Sequence, residues 1–201
     1  MEKRESEGYV KDLVEKLQKG EVTPKEALKG LEERGLTEKE SWEIIPWVAY
    51  FILWLPLNFK FSAQLQAISF PAIIMYLPLV LVAVGIFFLI WAGTTHRTRG
   101  GLKKMGEAII LYKEGPYRII RHPQAFGMMW PILLPIILSA YVPFTILSIA
   151  AIIVMIVYFY IGIHVEEKLD VEKWGDEYAQ YMKEVPRFNF IKGLWNLRKK
   201  K

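Results

Sequence analysis

Apolar residues along this chain gather into blocks instead of following the period of a half-buried strand or a surface helix. Four stretches, 44–59, 67–93, 124–140 and 143–163, contain no charged residue. Each reaches or approaches the roughly 20 residues that a helix needs to cross a hydrocarbon core about 30 Å thick. The first and third are short, which tilt or flanking residues would accommodate. The pattern predicts an all-α, polytopic integral membrane protein of about four spans, with five as the alternative. Prolines 71 and 78 in the second span and 131 and 135 in the third remove backbone donors, so both spans should kink and open space between helices.

Ahead of these blocks the pattern changes to helical spacing. Val10, Leu13, Val14 and Leu17 share one face of a helix over 6–19 that Gly20 should stop. Thr23 followed by Pro24 is an N-cap with proline at the first helical position, and Gly35 follows Leu31, the last periodic residue. Thr37 and Glu40 form a capping-box pattern before Trp42. Residues 1–41 thus read as a small cytoplasmic helical hairpin, serving for packing, for oligomer formation or as a regulatory lid. Residues 42–201 read as a membrane domain, with a cytoplasmic loop at 94–123 and a tail at 164–201.

Charge placement tests the same topology. Of the 26 Lys and Arg, nine precede residue 44 and nine follow residue 163, seven fall in 94–123, and Lys60 alone lies between the first two spans. Under the positive-inside rule both termini and the 94–123 loop face the cytoplasm. The net charge of +5 is then topological, and no nucleic-acid partner is expected. A charge-rich stretch of about forty residues before the first apolar block is not the layout of a secretory signal. The chain has no cysteine, which excludes disulfides, thiolate metal sites, covalent haem attachment and cysteine nucleophiles. No metal is expected. The seven tryptophans mostly fall near span ends, as an interfacial belt would place them.

The informative polar residues lie at one edge. The third and fourth spans are joined around Tyr141 and Val142 and form an antiparallel hairpin. Arg121 and His122 lie roughly 20 residues before that turn and Glu166 and Glu167 roughly 24 after it, which brings both pairs to one depth. The helix opened by Pro123 would offer free N–H groups to an anion. Glu166 or Glu167, read as closing the neighbouring helix, would accept from an ammonium or ribose hydroxyls, and Tyr112 or Tyr117 would offer a flat face to a base. S-adenosylmethionine satisfies this list, and a nicotinamide dinucleotide satisfies much of it.

The string GPYRIIRHPQAFG at 115–127, followed by EEKLD at 166–170 and WGDEYAQYMKEVPR at 174–187, resembles the isoprenylcysteine carboxyl methyltransferase family and its phospholipid methyltransferase relatives. The likeness covers residues 102 onward and leaves the N-terminal hairpin outside. It implies a membrane methyltransferase with S-adenosyl-L-methionine in a cytoplasmic pocket. Tyr117, His122, Pro123, Gln124 and Ala125 would line the cofactor, Leu111 and Tyr112 would border its adenosine, and Glu166, with Glu167, would hold its polar end. The family often has Tyr where Ala125 stands here, and Tyr117 or Phe126 would have to compensate. The acceptor would be lipid-like, most simply the carboxylate of an isoprenylated cysteine, entering from membrane lipid between kinked spans, with Arg121 and Arg187 meeting its anionic group. No side chain need act as a catalyst beyond positioning.

Two other readings fit fewer of these residues. A membrane reductase of isoprenoid or sterol double bonds would place the phosphates of NADPH on Arg97, Arg99, Lys103, Lys104, Arg118 and Arg121. A non-catalytic scaffold would recruit a partner through the N-terminal hairpin, but it gives no reason for charged pairs on facing helices at a membrane edge.

Overall fold

The computed structural model describes residues 3–37, 44–98 and 108–199; the side chains of Lys3, Arg4, His96, Arg97 and Thr98 are not described. Glu40 and Trp42, and with them the second capping box, lie outside those residues. Within them the protein is helical and has no strand. In chain order the elements are α1 (Lys3–Lys19), α2 (Pro24–Glu33), α3 (Ile44–Phe61), α4 (Ala72–Thr98), α5 (Pro123–Ile137), α6 (Ile146–Glu184) and α7 (Phe190–Lys199). Among the described residues three helices, α3, α4 and α6, are long and apolar enough to cross a membrane. The all-helical fold is consistent with a helical membrane protein.

Two of the predicted segments differ from these helices. The segment expected at 124–140 is the short α5, in which α-turns at Pro123–Met129 and Leu134–Ile137 flank a 3₁₀ stretch, Trp130–Leu133. Pro131 and Pro135 each sit at the start of a new piece, where a missing N–H costs least. The segment expected at 143–163 is only the first part of α6, which continues as helix to a break at Gly175 (φ 58°, ψ −132°). Pro71 precedes the first residue of α4 and kinks nothing, whereas Pro78 lies inside that helix.

The chain forms two compact units. One contains residues 39–87 and 125–163. Its core is Tyr50, Trp54, Ile132, Val142, Ala151 and Met155. Pro135 has no N–H to give the carbonyl of Pro131 one turn back, and the Tyr50 hydroxyl donates to that carbonyl instead, at 2.9 Å. Pro56 has a parallel effect in α3, where Leu53–Leu57 widens into a π-turn. Asn58 answers it: its side-chain amide donates to the carbonyls of Trp54 at 2.7 Å and Leu53 at 3.2 Å and to Ser148 Oγ at 3.0 Å. The Thr145 hydroxyl donates to Asn58 Oδ1 and accepts from Leu147 N, capping α6. Asn58, Thr145 and Ser148 are fully buried. A side chain at Gly85 would collide with the Trp130 ring, so glycine there lets α4 and α5 approach.

The other unit contains residues 1–38, 88–124 and 164–201. The predicted caps of its first two helices are present. Thr23 accepts from Glu26 N and Glu26 from Thr23 N, with Pro24 at the first position. At Gly20 (φ 72°) and Gly35 (φ 69°) the chain turns left-handed, and Glu21 N and Leu36 N reach back to the carbonyls of Lys16 and Leu31. The apolar stripes of α1 and α2 bury Val10, Leu13, Ala27 and Leu31 against Ile109, Trp174, Tyr178 and Tyr181. The N-terminal hairpin is therefore part of the body that carries the charged motif residues.

Candidate functional site

The site begins with a turn. Gly115 adopts φ 57°, and Gly115–Arg118 makes a single 3₁₀ turn that delivers Arg121 and His122 inward. Arg121 N donates to Pro186 O at 3.0 Å, so the segment lies directly against the tail. The Tyr181 hydroxyl holds the same turn by donating to Tyr117 O at 2.6 Å. On the opposite side, α6 contributes Glu166 and Glu167.

Glu167 is buried and surrounded by cations. Arg121 gives its Oε1 two bonds, from Nη2 at 2.6 Å and Nε at 3.1 Å, and Arg187 meets both of its oxygens. His122 Nε2 lies 3.2 Å from the same Oε1. Burial alone would raise the Glu167 pKa, but the bonds from His122, Arg187 and Arg121 outweigh it and hold the carboxyl well below its ordinary range. Arg121 also donates from Nη1 to the carbonyls of Met182 at 2.8 Å and Val185 at 2.5 Å. Most donors of its guanidinium are thereby engaged within the chain, and its side chain is 8% exposed.

His122 bridges the two glutamates. Its Nδ1 lies 3.1 Å from Glu166 Oε2 and its Nε2 faces Glu167. Burial disfavours the charged imidazole, yet Glu166 and Glu167 prevail and push its pKa up to about 9. At neutral pH the ring is a cation donating from both nitrogens. Glu166 differs from its neighbour: its side chain stays 31% exposed.

A second group continues along α6. Asp170, one turn after Glu166, is buried, and its pKa is pushed up to about 7 by burial first and by Glu166 second. Lys173 lies 3.8 Å away, and the Tyr178 hydroxyl hydrogen-bonds to Asp170. The spacing of Glu166, Asp170 and Lys173 is that of one helix face, a signal present in the sequence but missed because α6 was expected to end with its apolar block.

The motif residues fall as follows. Tyr117, Arg121, His122, Pro123, Gln124, Glu166, Glu167 and Arg187 lie in one unit with Leu111 and Tyr112, whereas Ala125 belongs to the other. The Tyr112 and Tyr117 rings stand 6.0 Å apart, tilted by 33°. Leu111 packs on the core beneath the N-terminal hairpin. One expectation is corrected. Glu166 and Glu167 do not close a helix, because α6 continues past them. The helix opened by Pro123 begins where the sequence places it, and its first α-turns end at Met129. Of the cations expected for a dinucleotide, Arg99, Lys103 and Lys104 and the side chain of Arg97 lie outside the described residues. Arg118 is exposed, and Arg121 is bound as above. No family model, curated protein or solved structure matches the chain.

Proposed function

We propose that the chain is an integral membrane methyltransferase that uses S-adenosyl-L-methionine and acts on a lipid-like acceptor, foremost the carboxylate of an isoprenylated cysteine. One observation carries this reading: of two adjacent carboxylates, Glu167 is enclosed by three cations while Glu166 is fixed by His122 and remains accessible. An accessible carboxylate with one oxygen held suits an ammonium or a ribose diol, each of which offers hydrogens to it. The tilted pair Tyr112 and Tyr117 offers aromatic surface for a purine. These are also the residues that the resemblance to isoprenylcysteine carboxyl methyltransferases singles out.

When bound, S-adenosylmethionine supplies a methyl group already activated by its sulfonium. A carboxylate acceptor is ionised at neutral pH, its reference pKa being near 4, so the protein need not remove a proton. What the residues do is position. His122, held as a cation, orients Glu166 and is no general base. Arg121 fastens the tail and Glu167 together. Arg187, with 29% of its side chain exposed, is the better placed of the two arginines to reach an acceptor's anionic group. In this reading α3, α4, α5 and α6 make four crossings, α5 being short, and both termini, the N-terminal hairpin and the site face the cytoplasm. The distribution of Lys and Arg supports that orientation.

The test is transfer of radiolabelled methyl from S-adenosylmethionine to an N-acylated prenylcysteine by the full chain in nanodiscs. A product that extracts into organic solvent and releases methanol in mild base is expected, since that is the behaviour of a methyl ester. A base-stable product would contradict the carboxylate as the acceptor group. No transfer, together with calorimetric binding of NADPH, would replace the proposal by the reductase reading.

A further inference from the structure

Helix α7, FIKGLWNLRK, has two unlike faces. Its inner face is pinned. The Phe190 ring lies 6.2 Å from that of Phe88, and a Cβ on Gly193 would come within 1.9 Å of the carbonyl oxygen of Ile119, so backbone meets backbone there. Asn189 Oδ1 accepts from Lys192 N at the start of the helix, and Asn196 donates to Glu184 O. These contacts fix the rotation of α7 about its axis.

The fixed rotation turns three large apolar side chains outward: Ile191 is 69% exposed, Leu194 46% and Trp195 58%. At 3.6 residues per turn they share one arc of roughly 100°. Arg198 falls within that arc, Lys199 and Lys192 lie beside it, and the helix contains no acidic residue. An apolar strip with a cationic border is the composition of a helix lying at a membrane surface.

The place of α7 in the fold supplies the partner. Phe88, against which it begins, belongs to α4 and lies about one and a half turns before Gly93, where the apolar block of that segment ends. A helix starting at that level meets the zone where hydrocarbon gives way to headgroups.

We propose that α7 lies in the headgroup layer of an anionic leaflet, with Ile191, Leu194 and Trp195 turned into the acyl boundary and Lys192, Arg198 and Lys199 on the phosphates of anionic phospholipids. Cationic side chains beside an apolar strip extend toward the phosphates while their stems cover the strip, and each gains from the negative surface potential of such a leaflet. The inference rests on the membrane-crossing helices and not on the methyltransferase reading.

Because the chain has no cysteine, single spin labels can be placed on the full-length protein by Ile191→Cys, Lys192→Cys and Trp195→Cys. Each labelled chain is incorporated into nanodiscs of phosphatidylcholine with or without phosphatidylglycerol, and collisions with oxygen are compared with those of a water-soluble nickel chelate. With phosphatidylglycerol, labels at 191 and 195 should lie about 5–10 Å below the phosphates and the label at 192 at or above them. Removing phosphatidylglycerol, or combining Lys192→Glu, Arg198→Glu and Lys199→Glu in the 191-labelled chain, should move the apolar-face label toward water. Nickel access at 191 and 195 in both lipids would overturn the proposal, as would a depth indifferent to lipid charge and to charge reversal. Shielding from both reagents that disappears on dilution would assign the face to another protein chain instead. Circular dichroism verifies that each labelled chain keeps its helix content, and Leu194→Cys replaces Trp195→Cys if that variant does not.

Discussion

Two buried polar networks in this protein differ in a way that separates structure from function. The first, Asn58 with Thr145 and Ser148, is neutral and closed: each side chain is fully buried, and their donors and acceptors meet one another or the carbonyls displaced around Pro56. The second, Arg121, His122, Glu166, Glu167 and Arg187, is charged and closed at one end only. Glu167 is sealed, while Glu166 is oriented by His122 and open. Clustering of polar side chains is therefore a poor sign of a site in a membrane protein. An oriented group with an accessible end is a better one.

The largest effect that sharpens this comparison is expected at Glu167. Glu167→Gln leaves Arg121 and His122 buried without their shared counter-charge, and losing one partner of a buried ionic group costs roughly 3–5 kcal/mol. Thermal unfolding in detergent should show a large loss of stability. An unchanged melting temperature would mean that this end of the network is not sealed. Asn58→Leu should cost less, about 1–3 kcal/mol, the penalty for leaving buried carbonyls and a hydroxyl unpaired. It should leave the affinity for S-adenosylhomocysteine as it was; a change in that affinity would contradict the division of roles between the networks.

The pH dependence should distinguish the networks further. The folded-state pKa of His122, about 9, lies above its ordinary value near 6.5, so its contribution to stability is complete below 6.5 and is lost as pH rises through 9. The melting temperature should fall over that window, and His122→Gln should flatten the fall. Asn58, Thr145 and Ser148 do not titrate there, so an Asn58→Leu protein should show the parent's slope.

How much of this was legible in the sequence depends on how local each feature is. The caps at Thr23, Gly20 and Gly35 were readable because their chemistry acts within one turn of the chain. The extent of α6 was not, because the apolar block ends near residue 163 while helical geometry continues through Glu166, Asp170 and Lys173 to Gly175. The break in α5 was visible as prolines, but its shortness was not, since hydropathy carries on to residue 140. The meeting of Arg121 and His122 with the two glutamates followed from spacing across the Tyr141 turn. That Arg121 would be consumed by Glu167 and by carbonyls of the tail did not, because pairing among charges is decided by tertiary packing. The widened turn at Pro56 was missed although its signal, a proline two residues before Asn58, stood in the sequence.

The central claim is that Glu166, and not Glu167, offers its carboxylate to the cofactor, and calorimetry with S-adenosylhomocysteine on the parent and on Glu166→Ala tests it most directly. The parent should bind, and Glu166→Ala should keep its fold and lose about 1.5–3 kcal/mol of binding free energy, roughly ten- to a hundredfold in affinity. A Glu166→Ala protein that binds S-adenosylhomocysteine as tightly as the parent would contradict the placement, and a parent that does not bind it at all would contradict the cofactor.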